Sequence, residues 1–180
     1  MKHKQLIQII IGGAVALSGT ILMLILLQLN LVGPEAIEND QMTTGGTILF
    51  IFLYIFLLLG LWYGLKLTKK ANQDELTFTR AFKVGSIISL STAVFAAILT
   101  IGFYEMVYPS YNDDMVVVVT KKMQESGLHA SELQEKVMEQ KKYYSTAVQA
   151  QFAFIGNLIT GLAFTTLLGL FLKTKSRKTE

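Results

Sequence analysis

The residues able to do chemistry are few, and they stand at the edges of long uncharged tracts. The chain has 13 acidic residues, 16 basic residues, two histidines and no cysteine. Lack of cysteine excludes disulfides, thiolate metal sites and thiol catalysis. His3 and His129 fall in separate regions, predicted on opposite sides of the chain's apolar tracts, so they make neither a zinc site nor a Ser–His pair. No G-x-S-x-G, H-E-x-x-H or phosphate-loop pattern occurs. Asp113 and Asp114 adjoin in a tyrosine-rich stretch and read as solvated acids. No catalytic, cofactor-binding or metal-binding residue is assigned, and the chain is read as not an enzyme.

The remaining candidates are polar groups in or beside apolar tracts, where a polar side chain warrants a functional hypothesis. Glu105 is the one carboxylate adjoining an apolar core, at the end of the third tract. A proton-coupled carrier needs an acid further in, so Glu105 reads as a water-exposed or snorkelling acid. Gln149, Gln151 and Asn157 lie on the fourth tract, and Gln28 and Asn30 close the first. At helical spacing Gln149 and Gln151 point about 200° apart and make no common polar face. Asn157 is deeper and is expected to bond across helices as packing glue.

Those groups need elements that the apolar tracts supply. Of the 180 residues 52% are hydrophobic and 16% charged, with mean hydropathy +0.46. Soluble domains carry about 25% charged residues. A crossing helix needs about 20 apolar residues, and four tracts qualify, with spans read at about 6–32, 44–66, 81–107 and 145–172. The first tract is too long for the core of a signal peptide and reads as an uncleaved span. The chain is therefore all-α: a four-helix transmembrane bundle in one membrane domain, with an extracytoplasmic helical segment at about 110–142.

Charge orients it. Lys2 and Lys4 precede the first span; Glu35, Glu38 and Asp40 occupy the first loop, which has no basic residue. Lys66, Lys69, Lys70, Arg80 and Lys83 flank the second connection, and Lys173, Lys175, Arg177 and Lys178 the tail. The third loop mixes five lysines with seven acids. By the positive-inside rule both termini are cytoplasmic. Trp62 and Tyr63 at one end, and Tyr104, Tyr108, Tyr111, Tyr143 and Tyr144 at the other, fall where aromatic belts belong. Basic residues that flank spans, rather than forming a patch, argue against nucleic acid as a partner; membrane lipids are the expected surroundings.

Small residues recur every four positions: Gly12 and Ala16; Gly60 and Gly64; Ala81, Gly85, Ser89 and Ala93; Gly161, Thr165 and Gly169. Such rows let helix backbones approach in lipid. They serve either a compact bundle within one chain or, for the long row on the third span, a homodimer face. Beyond that span Pro109 should end the helix, and residues 113–126 read as an amphipathic helix or a strand. Gly127 is a stop, and Ser131 with Gln134 forms a capping box. The helix so opened meets no glycine or proline before Gly156 and is expected to run unbroken into the fourth span. Residues 68–80, with Leu76 and Phe78 among charges, are expected to skim the interface.

The stretch from Leu76 to Gly85, through Phe78, Ala81, Phe82 and Lys83, resembles the entry to the third span in bacterial domain-of-unknown-function family 4199. The resemblance extends over nearly the whole chain, although members often carry a proline near the last span and this chain has none after Pro109. It implies a bacterial inner-membrane protein and no particular chemistry. The expected role is a non-catalytic membrane or envelope component acting through helix packing and a membrane-protein partner. The alternative is an oligomeric transporter or channel subunit for small solutes or ions.

Overall fold

A computed structural model describes residues 2–126 and 130–174, with side chains from Gln5 to Ser126 and from Glu132 to Thr174. The described residues are helical, with short connections and no strand. In chain order the helices are α1 (Lys2–Gln28), α2 (Pro34–Glu38), α3 (Met42–Lys70), α4 (Phe78–Gly102, prolonged by a π turn at Phe103–Val107), α5 (Tyr111–Glu125), α6 (Ala130–Tyr143) and α7 (Thr146–Leu172). Gly127, His129 and the basic tail from Lys175 lie outside the described residues, as do the side chains of Lys2, His3, Lys4 and of Ser131, one half of the capping box.

Four of the helices are long and apolar enough to cross a membrane, over Gln5–Gln28, Met42–Lys70, Phe78–Val107 and Thr146–Leu172. At 1.5 Å per residue the 27 residues of α7 span about 40 Å, more than the roughly 30 Å hydrocarbon layer. In that layer each backbone group must find its partner within the helix, so glycines and β-branched residues that weaken helices in water are accommodated. Apolar side chains face outward around the bundle, Ile159 and Phe171 among them. This is a multi-pass membrane protein.

The first span stops earlier than its hydrophobicity indicates, at Gln28 rather than Val32. Asn30 adopts a left-handed conformation (φ 55°). The Leu31 amide then donates to the Leu26 carbonyl, and the Asn30 amide to that of Leu27, the paired bonds that close a helix C-terminus. Asp40 closes α2 in the same way. Hydropathy does not register a stop made by backbone hydrogen bonds.

α4 is the central helix, touching α1, α3 and α7. Its buried face repeats at helical spacing: Ala81, Val84, Gly85, Ile88, Ser89, Thr92 and Ala93. The row of small residues on this face meets the row on α7 in antiparallel register. A Cβ added to Gly169 would touch Ala81, one on Gly85 would collide with Thr165, and one on Gly161 would collide with Ser89. The long row on α4 is thus occupied by α7 of the same chain. Gly12 of α1 lies over the α4 backbone at Ile88 and Thr92, and Ala16 is buried beside it. Gly60 faces Val15, and Gly64 faces Ile88. Leu57, Leu61 and Leu65 of α3 pack with Val84 and Ile88 as the core of this half.

The 68–80 connection does more than lie at an interface. Leu76 is buried among that core, and Thr77 caps α4 by accepting from the Arg80 amide at 3.3 Å. The Leu76 amide donates to Thr174 Oγ1 (2.9 Å), and the Thr174 amide donates back to the Leu76 carbonyl (2.9 Å). The exit of α7 is tied there to the turn between α3 and α4.

At the opposite end α5, which is a helix and not a strand, lies across α2. Lys121–Glu38 (3.6 Å) and Lys122–Asp40 (2.8 Å) pair across that contact. The expected continuous helix into the fourth span is broken at Tyr144 and Ser145. Ser145 is extended (ψ 142°), and its hydroxyl donates to the Lys142 carbonyl (2.7 Å). A serine that bonds its own backbone ends a helix without glycine or proline.

Candidate functional site

The tyrosine-rich end of the bundle is held together by aromatic packing. Pro109 deprives its own position of a donor and pushes the preceding residue out of the helical region; Tyr108 takes φ −141° and ψ 74°. Just before it the helix widens into the π turn, where the Tyr108 amide reaches back to the Phe103 carbonyl (2.8 Å). Such turns recur at functional sites. This one turns both Phe103 and Tyr104 inward, while Glu105, Met106 and Val107 face outward. Phe103, Tyr104 and Tyr111 then form a mutually tilted trio with ring centroids 5.0 to 5.4 Å apart, a favourable arrangement for aromatic quadrupoles.

Beneath this roof the four spanning helices diverge to leave a half-open chamber of about 390 Å³. Met23 of α1, Phe50 of α3, Leu99 of α4 and Phe152 of α7 line its walls, while Tyr111 and Met115 of α5 cover it. Gly46 and Gly156 border it from two helices, and a Cβ at either would meet nothing within 4 Å. These glycines do not admit a neighbouring backbone, as those of the small-residue rows do. They leave space.

Two of the six polar candidates, Asn157 and Gln149, come to this chamber. Asn157 lines it, with its amide donating to the Ala153 carbonyl of its own helix (2.7 Å). The expected bond across helices is therefore not made; the i−4 carbonyl is the nearer partner. Gln149 lines the chamber near its rim and donates to the Tyr143 carbonyl (2.8 Å), closing the C-terminus of α6. Gln151 is exposed and does not line the chamber, as the angular spacing requires, and Glu105 is exposed on the π turn.

Burial pushes the Tyr111 phenol above its ordinary range, with the neighbouring tyrosines adding to the effect. Burial, then Tyr143, does the same for Tyr144. Both rings are neutral and amphipathic at physiological pH. The chamber so offers aromatic faces, three thioethers and two amides, with no carboxylate or ammonium in its lining among the described residues. Among the described residues no group of three His, Asp or Glu side chains could hold a metal. Sequence reading placed the tyrosines at a membrane surface but missed the chamber, because Gly46 and Gly156 look like any other small residues in a span.

No match was found among curated proteins or among solved structures. A family model described as "Protein of unknown function (DUF4199)" matches residues 9–174. With nearly the full length matched, spans and cap together, the chain belongs to that family.

Proposed function

We propose that the protein is a non-catalytic component of a bacterial cytoplasmic membrane whose capped end receives a small apolar or aromatic amphiphile. The observation that carries this reading is the unfilled chamber bordered by Gly46 and Gly156. The chamber is half-open, with Phe50 and Phe152 exposed along it, so a molecule from the bilayer can reach it. A side chain at Gly46 or Gly156 would extend into this space, and glycine at both leaves it free. Aromatic walls with a few amides are the ordinary composition of a ligand site.

The test is labelling by a single-chain amphiphile that carries a photoreactive diazirine. Labelling of peptides containing Phe152 or Tyr104 is expected, and Gly156→Phe should abolish it while leaving the thermal midpoint unchanged or higher. Equal labelling of Gly156→Phe would sink the proposal.

Both termini are assigned to the cytoplasm and the cap to the outside. Basic residues at the terminus-bearing end, against Glu35, Glu38 and Asp40 at the other, support this. Since the chain has no cysteine, Glu38→Cys and Asn72→Cys each give a single thiol. In intact cells an impermeant maleimide should label the first only.

One observation favours a transporter. The chamber and a second cavity lined by Gln8 and Arg80 lie at opposite ends, with the Leu57, Leu61 and Ile88 layer between them. Proteoliposome flux, compared with Glu105→Gln and Asn157→Leu, decides between the readings. Absence of flux for every tested ion and cationic solute removes the transport reading.

A further inference from the structure

At the terminus-bearing end, α1, α3 and α4 part to form a cleft of about 460 Å³. Its walls are mainly apolar, with Ile7, Ile11 and Leu67 among them, and its basic groups are Arg80 and Lys83 at the start of α4. Among the described residues no acidic one lines it. The ion pairs found among the described residues are Lys121–Glu38 and Lys122–Asp40, so Arg80 and Lys83 have no carboxylate at ion-pair distance there. Gln8, also in the lining, is 8% exposed, and its Oε1 accepts no hydrogen bond from the described residues. A buried acceptor without a donor destabilises the fold. Basic residues placed only to orient the chain require neither a cavity nor an orphaned amide.

We propose that this cleft binds a phospholipid with an anionic, hydroxyl-bearing headgroup, of the phosphatidylglycerol class. Its phosphate is held by Arg80 and Lys83, a headgroup hydroxyl donates to Gln8 Oε1, and an acyl chain lies along Ile7, Ile11 and Leu67. Each part answers one feature of the cleft. Two uncompensated cations between membrane helices attract an anionic headgroup. Gln8 Oε1 needs a donor, which phosphate alone does not supply. The ammonium of a zwitterionic lipid could donate, but it would sit against the same two cations, whereas a hydroxyl donates without charge.

The experiment is binding of lipids to the full-length protein in detergent, read by native mass spectrometry. Four lipids of identical chains serve: phosphatidylglycerol, phosphatidylethanol (anionic, with no headgroup hydroxyl), phosphatidylethanolamine and phosphatidylcholine. The wild-type protein is expected to bind phosphatidylglycerol roughly tenfold more tightly than phosphatidylethanol, as one hydrogen bond would give, and both above the zwitterions. Arg80→Gln with Lys83→Gln should weaken phosphatidylglycerol roughly thirtyfold. Gln8→Leu should erase the preference for phosphatidylglycerol over phosphatidylethanol while keeping that for anions. Lys70→Gln, outside the cleft lining, is the control for loss of one positive charge at the same end of the bundle, half of the cleft variant's charge loss. Equal wild-type affinity for all four lipids overturns the proposal, as does a loss in Lys70→Gln equal to that in the cleft variants. The wild-type lipid comparison stands even if a variant does not fold.

Discussion

Gly85 of α4 lies so close to Thr165 of α7 that a Cβ on the glycine would overlap the threonine side chain. Both residues are buried, and Ser89, one turn along α4, approaches the same threonine hydroxyl at 3.5 Å. The contact is the middle rung of the antiparallel ladder running from Ala81–Gly169 to Ser89–Gly161. Gly85→Ala should therefore push the helices apart and destabilise the protein by about 1–3 kcal/mol, the usual effect of overpacking. Thr165→Gly, combined with it, should recover most of that loss. Gly156→Ala, facing open space, should be close to neutral. Thermal unfolding in detergent of the four proteins checks all three statements.

The bond between Leu76 and Thr174, 98 positions apart in the chain, makes a second prediction. Thr174 Oγ1 also donates to the Asp74 carbonyl (3.1 Å). Thr174→Val removes both side-chain bonds and should cost about 1–2 kcal/mol locally. The effect should appear as faster hydrogen exchange at the Leu76 amide, with exchange in the middle of α4 unchanged. Leu76→Ala, which empties a fully buried site, should lower global stability by about 2–5 kcal/mol.

Alkaline pH should loosen the cap before it disturbs the bundle. The folded-state pKa of Tyr111 is raised by burial, while the unfolded phenol titrates near its ordinary value of about 10. The protonated ring's contribution is complete below that value. It is lost as pH rises from there through the folded pKa, because the unfolded state releases its proton first. Tyr111→Phe should shift this loss to higher pH. Tyrosinate absorbance together with protease sensitivity of α5 would read it.

The attachment of α5 to α2 should depend on salt. Lys121 and Lys122 pair with Glu38 and Asp40 at the surface, where screening is strong and single pairs contribute little. Lys121→Glu should weaken the attachment at low ionic strength, and a compensating Glu38→Lys should restore it; in high salt all three proteins should converge. Exchange protection of the Met115 and Val118 amides is the readout. Unchanged protection at low salt would show that burial of Tyr111 and Met115 alone holds the cap.

The amino-acid sequence by itself determined the number of spans and which residues could lie close between them. Twenty or more uncharged apolar residues have one stable arrangement in hydrocarbon, and that length is written locally. The rows through Gly85 and Gly161 were legible for the same reason, since helical spacing puts every fourth residue on one face. Which face each row meets was not local information, and only the tertiary structure placed α4's row on α7. The stops at Asn30 and Ser145 are backbone hydrogen bonds that composition does not encode, so one span was read too long and one break was missed. Both cavities lie beyond sequence for a further reason. An unfilled space is bounded by residues from several helices, and Gly156 facing open space is spelled like Gly161 facing a neighbour. Gln8 likewise reads as one more polar residue near the start of a span; the fold alone buries it and leaves its oxygen without a partner.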